Sequence, residues 1–268
     1  MRKKISSVVA CIIGIWLAGP ANAADVTAED VINHCYYKNQ GHDQKTILAI
    51  KVKNPDGNEN VTEYIRLWKS YADQSGDLDE KMILFTTSPP ENKGVNFMRW
   101  AYRTGTNKIP EQWVYLPDLR KTRRVSQRDP HDMTWGLTDE DFRTHLIDED
   151  KHTLVSTEKE GGATVYNVES RPKGTSAYSR WVSKYVTPDN WDNCSRIEVK
   201  YYDLNDKLLK RVSYKWSRKG DVWVWDDVTI ENNNTLTTVT YKTVEAAVNV
   251  GLEDKDFTER ELQRTGGH

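Results

Sequence analysis

Few residues in this sequence are spaced for catalysis. The six histidines, His34, His42, His131, His145, His152 and His268, form neither an HExxH pair nor a tight His-x-His, and zinc sites usually pair their ligands more closely. His131, His145 and His152, with Asp132, read as exposed loop histidines among acids rather than as metal ligands. No G-x-S-x-G elbow, P-loop or G-x-G-x-x-G occurs. Carboxylates are numerous, yet nothing singles out two of them for acid–base work. Asp139, Glu140 and Asp141 fit the first turn of a short helix, where negative charge favours the dipole. The residues point to no enzyme, no metal and no organic cofactor. A hydrolase with an unrecognised acid pair is the weakest reading.

Two other groups stand out. Arg120, Lys121, Arg123, Arg124 and Arg128 crowd beside Trp113, Tyr115 and Leu116. The run reads as a patch for anionic head groups or an acidic partner, or as the solvated face of a strand. The second group is aromatic: ten Trp and thirteen Tyr against four Phe. Met82, Leu84, Phe97, Trp100, Trp113 and Tyr115 fall on expected strands and are candidates for the wall of an apolar cavity. The sequence leaves open which parity points inward. Cys35 and Cys194 either pair in an oxidising compartment or stay apart as thiols. A bridge would close about 160 residues and contribute roughly 4–5 kcal/mol in the entropic account.

These residues need a scaffold, and 268 residues are enough for one. The formal charge of −2 argues against a dedicated nucleic-acid binder, and a chain this aromatic is not disordered. Arg2, Lys3 and Lys4, the apolar stretch to Ala18 and Ala21-Asn22-Ala23 form an export signal. Cleavage after Ala23 is expected, leaving a single domain, 24–268, in a bacterial periplasm. The start of that domain, 24–38, patterns as a helix: Thr27 and Asp30 make a capping box, and Val31, Ile32, Cys35 and Tyr36 form the apolar stripe.

Period-two segments follow at 47–52, 61–68, 81–86, 95–103 and 112–116, then from Ile197 in a meander through 209–216, 222–230 and 236–244. Asn54-Pro55-Asp56-Gly57 is a turn. The segments 129–150 and 252–264 break the pattern. The fold expected is mainly β, with some α: a strongly curved antiparallel sheet, an unclosed barrel, with a few helices over its concave side.

The stretch Trp113-Val114-Tyr115-Leu116-Pro117-Asp118-Leu119-Arg120-Lys121-Thr122-Arg123-Arg124 resembles the LolA-like outer membrane lipoprotein-sorting family, exported bacterial proteins often associated with RND-type exporters. Supporting stretches are Asp139-Glu140-Asp141-Phe142, Tyr178-Ser179-Arg180, Arg196-Ile197-Glu198, Lys207-Leu208-Leu209-Lys210 and Asp256 to Leu262. Around Trp135-Gly136-Leu137 the chain departs from the family pattern. The resemblance implies an apolar barrel interior under a helical lid, with no catalytic residues. It also implies a periplasmic carrier of a lipid or lipidated protein, holding acyl chains and working with an RND-type membrane transporter. The alternative is an envelope sensory or regulatory module of the same fold, with the basic run as its docking patch.

Overall fold

The computed structural model describes residues 25–106, 108–125 and 145–264. The export signal, Arg128, His131, the helix expected near Thr138 and His268 lie outside the described residues.

Helix α1 (Ala28–Cys35) begins where its capping box places it. The Thr27 hydroxyl accepts from the Asp30 amide, and the Asp30 carboxylate accepts from the Thr27 amide. Its stripe of Ala28, Val31, Ile32 and Cys35 is buried. The helix is shorter than 24–38: Tyr36, the last residue of the stripe, is its C-cap.

Thirteen strands follow among the described residues. One meander holds β1 (Asp43–Lys53), β2 (Glu59–Ser70), β3 (Leu78–Ser88), β4 (Asn96–Tyr102), β5 (Glu111–Leu116) and β6 (Lys121–Val125). The other holds β7 (Asp150–Glu160), β8 (Ala163–Pro172), β9 (Arg180–Thr187), β10 (Ser195–Tyr202), β11 (Leu208–Lys219), β12 (Val222–Asn232) and β13 (Thr237–Val248). A short helix, α2 (Glu259–Leu262), closes the described chain. All strand pairs are antiparallel, in the order β6-β5-β4-β3-β2-β1-β13-β12-β11-β10-β9-β8-β7. Pairing of β1 with β13 joins the meanders, while β6 and β7 are left as edges. The sheet is the expected unclosed, curved barrel.

Tight turns make the neighbours possible. At the expected 54–57 turn, Gly57 donates to the Asn54 carbonyl over 3.0 Å, at φ +86°. Gly161 and Gly162, at φ +56° and +90°, join β7 to β8 in two residues, a geometry that side chains with a Cβ resist.

Register sorts the side chains. Leu84 pairs with Phe97, and Phe97 with Val114. With Ile50, Tyr64, Val199, Val212, Val228 and others they form one buried cluster on the inner face. Helix α1 lies on that same face, against Tyr166, Val168 and Tyr185. The opposite parity of β2 to β5 is also apolar: Leu67, Ile83, Phe85, Met98, Trp113 and Tyr115 are buried. The chain end covers them, inserting Phe257 and Leu262. One helix therefore covers the outer face rather than the concave one, because β3 to β5 are apolar on both sides.

Cys35 and Cys194 form a disulfide with Cα atoms 4.9 Å apart, which settles the question the sequence left open. It ties the last residue of α1 to the residue before β10. Thiol counting by mass spectrometry should find neither cysteine free in the oxidised protein. Cys35→Ser with Cys194→Ser, or reduction, should lower stability by about 2–5 kcal/mol, read as a fall in melting temperature.

Candidate functional site

Strand parity and α1 together build a recess on the inner face. Its walls are Ile32, Tyr36 and Tyr37 from α1 and the turn after it, Ile147, Asp150 and His152 near the start of β7, and Trp181, Tyr185, Arg196 and Tyr201 from β9 and β10. Trp181 and Tyr201 also belong to the inner apolar cluster, so the recess is continuous with it. The cavity is small, about 30 Å³, room for roughly one water.

One end of the recess is polar. His145 Nδ1 sits 3.3 Å from the buried carboxylate of Asp150, and its ring lies against Trp181. Its backbone amide donates to the Tyr36 hydroxyl, and its carbonyl accepts from Tyr37. His152 is held at both ring nitrogens, by Ser170 Oγ at 2.8 Å and the Ile147 carbonyl at 2.9 Å. The reading of His145 and His152 as exposed loop histidines is therefore corrected. Strand β7 alternates, so His152 faces inward beside Ser170. Burial is the main cause that pushes the Tyr37 and Tyr185 hydroxyls up to about 12. Among the described residues no group of acids, histidines and cysteines is arranged to hold a metal ion.

At the other end Arg196 dominates. Its guanidinium lies between two tyrosine rings, 4.8 Å from that of Tyr36 and 4.9 Å from that of Tyr214. One terminal nitrogen donates to the Tyr214 hydroxyl over 3.2 Å. Its Nε is buried and unsatisfied, and no carboxylate lies within ion-pair distance among the described residues. The rings of Tyr214, Trp225 and Trp223 each lie about 6 Å from that of Trp216. These aromatics share the inner parity because a bulge at Lys215/Trp216 shifts the β12 register.

By register, the same end of the other meander carries a second polar group. Arg99 donates to Glu80 at 2.6 Å, and Trp68 Nε1 donates to the other Glu80 oxygen at 2.6 Å. Arg66 stacks on Trp68 and is lowered to about 10, because burial outweighs the attraction of Glu80. Sequence reasoning missed Arg66, Arg99 and Arg196 as site residues. Only inward parity marks them, and β2 and β10 also carry outward cations, Lys69 and Lys200.

The cavity candidates separate by parity. Met82, Leu84 and Phe97 lie with the inner cluster; Trp100, Trp113 and Tyr115 lie with the outer one, beneath the chain end. The basic run is divided as well. Lys121 and Arg123 register with Leu116 and Val114 on the inner parity, while Arg124 registers with Trp113 on the outer. Arg124 pairs with Glu111 at 3.3 Å and lies over the Trp113 ring. Arg120 sits in the turn before β6 at φ +47°. Strand β6 is an edge, and charge on an edge discourages pairing with another chain.

The chain end is anchored by charge. Asp254 accepts from Tyr71 and, at 2.9 Å, from Lys81. Those bonds, Tyr71 first, hold its carboxyl below the free value of 3.8. The Asn96 side chain donates to the carbonyls of Leu262 and Arg264.

Comparison with known proteins agrees with this architecture. A family model described as "Uncharacterized protein" matches residues 78–264. A DUF1329 family protein from Desulfovibrio piger has a similar structure, with a TM-score of 0.72 and 22% identity over 88% of this chain and 95% of that one. A putative outer membrane lipoprotein-sorting protein domain from Vibrio parahaemolyticus scores 0.70, at 21% identity over 88% and 97%. A LolA superfamily protein from Nitrosomonas europaea scores 0.61, at 18% identity over 88% and 99%. No curated protein sequence matches the chain.

Two outcomes are expected here. Arg124→Glu should cost roughly 0.5–1 kcal/mol in thermal melts, since it sets a carboxylate against Glu111 and loses the Trp113 contact; Arg123→Glu should leave the melt unchanged. For the chain end, a depressed carboxyl stabilises above its unfolded pKa and stops doing so as pH falls through its folded one. Amide protection of residues 252–264 should thus hold at neutral pH and fall only below 3.8. Asp254→Asn should lose protection at neutral pH.

Proposed function

We propose that this chain, which shares the fold of a LolA superfamily protein, is a carrier of a lipid or a lipidated protein in the bacterial periplasm. The observation that supports the reading is the inner face: one apolar cluster fed by strands of both meanders, inside a sheet whose edges β6 and β7 do not seal. An acyl chain in water costs about 0.8 kcal/mol per exposed methylene. Shelter on an apolar face removes that cost without chemistry, so the protein acts by binding rather than catalysis. The disulfide fits an oxidising compartment, as does the export signal at the start of the sequence. A membrane partner of the RND-exporter type takes the guest from the carrier or supplies it.

The cavity between α1 and the sheet is about 30 Å³, against roughly 300–1,000 Å³ for sites that enclose a small molecule. Loading therefore needs movement. Helix α1 is pinned at its last residue by the disulfide and elsewhere by the packing of Ala28, Val31 and Ile32, so release of that packing lets it swing from its N-terminal end. Such a motion separates Val31 and Ile32 from Tyr166 and Val168 and opens the recess toward Trp181 and Tyr201.

Native mass spectrometry of protein purified from its own host should show an acyl species bound to the chain. Fluorescent fatty-acid probes should bind and be displaced by unlabelled lipid. Consistently empty protein with no probe uptake would overturn the carrier reading.

A further inference from the structure

Resting on the carrier reading, we infer that Arg196 is a head-group site, and that the guest is an anionic amphiphile whose oxyanion, carboxylate or phosphate, binds this guanidinium while its chain runs along the inner face. A guanidinium presents five donors in a fixed plane, matched to two oxygens of one anion. Two tyrosine rings fix that plane in Arg196, from opposite elements: Tyr36 after α1 and Tyr214 on β11. Among the described residues, one side-chain oxygen, the Tyr214 hydroxyl, takes a bond from it. Its Nε is enclosed without an acceptor. A buried donor in that condition is costly unless something accepts from it, and a cation is matched by an anion.

The surroundings fit the rest of such a molecule. Trp181 and Tyr201 lead from the recess into the apolar cluster. Tyr214, Trp216 and Trp225 extend outward from the guanidinium as an aromatic shelf, with Trp225 39% exposed. Rings with one polar edge suit the boundary between a charged head and an oily tail. Arg66 and Arg99 lie inward on strands that register to the same end of the sheet, with Glu80 paired to Arg99. At the far end of the recess Asp150 and His145 face each other, and an anionic head placed there would meet a carboxylate.

Calorimetric titration of the exported chain with dodecanoate, dodecyl phosphate and uncharged dodecanol tests this. Wild type should bind at least one anion roughly 10- to 100-fold more tightly than dodecanol. Tighter dodecanoate would mark a fatty acid as the guest, and tighter dodecyl phosphate a phospholipid. Arg196→Gln should weaken the anions by about the same factor and leave dodecanol unchanged. If that variant does not fold, Arg196→Lys replaces it: the charge stays, the planar fork goes, and the anions should still lose affinity relative to dodecanol. Equal binding of all three by wild type, or a variant that keeps its preference, would overturn the head-group site and leave the carrier reading intact. No binding of any of the three would overturn both.

Discussion

Pairing of β1 with β13 is the contact on which the rest of the molecule depends. Without it the two meanders would be separate sheets, each with an unprotected edge. It runs through ten residue pairs, from Gln44↔Val248 to Lys53↔Thr238. Asp43 secures its end. That buried carboxylate accepts from the amides of Val250, Gly251 and Leu252 at 2.6, 3.1 and 3.1 Å, turning the chain out of β13 toward the outer face. Gly41 makes room for the turn: at φ +75°, a Cβ there would stand 2.6 Å from the Asn249 side-chain oxygen. The junction thus sets two things at once, the continuous inner face and the path of the segment that covers the outer one.

Local signals in the sequence carried far, and distant ones did not. The Thr27–Asp30 box and the 54–57 turn are encoded within four residues, and both stand where they were expected. Strands with one apolar face, such as β11 to β13, declare themselves by alternation. Strand β6 does not, since Lys121-Thr122-Arg123-Arg124 is polar on both faces and reads as a charge run; only its pairing with β5 makes it a strand. Edge strand β7 is mostly polar for the same reason. In β3 to β5 the difficulty is reversed. Both parities are apolar, so Leu84 and Ile83 look alike until the chain end is seen over one of them. The cysteines, 159 residues apart, carry no local mark of their pairing at all.

Arg196 was visible in the sequence only as one letter of a family-like stretch. Its environment comes from three places: Tyr36 beyond α1, Tyr214 on β11, and the strand that carries it. No window of sequence contains all three. The same holds for Glu80, which serves Trp68 on β2 and Arg99 on β4 from its place on β3.

An interior meant only to be oily would have little use for these groups. Replacing a buried charge by a packed apolar side chain is often neutral or stabilising, and a trough lined by Val, Ile and Phe alone would shelter hydrocarbon as well. Yet Arg99 is 4% exposed and Lys210 1%, the latter with its ammonium over the rings of Tyr178 and Tyr201. Desolvated cations on the inner face discriminate. On the proposed carrier reading they would disfavour a cationic guest, which they repel. Glu80 holds Arg99 and the rings of Tyr178 and Tyr201 lie under the Lys210 ammonium, so the inner face keeps these charges without collapse. On the proposed reading, the apolar strands account for why a chain would be held, and the cations for which kind of head it would carry.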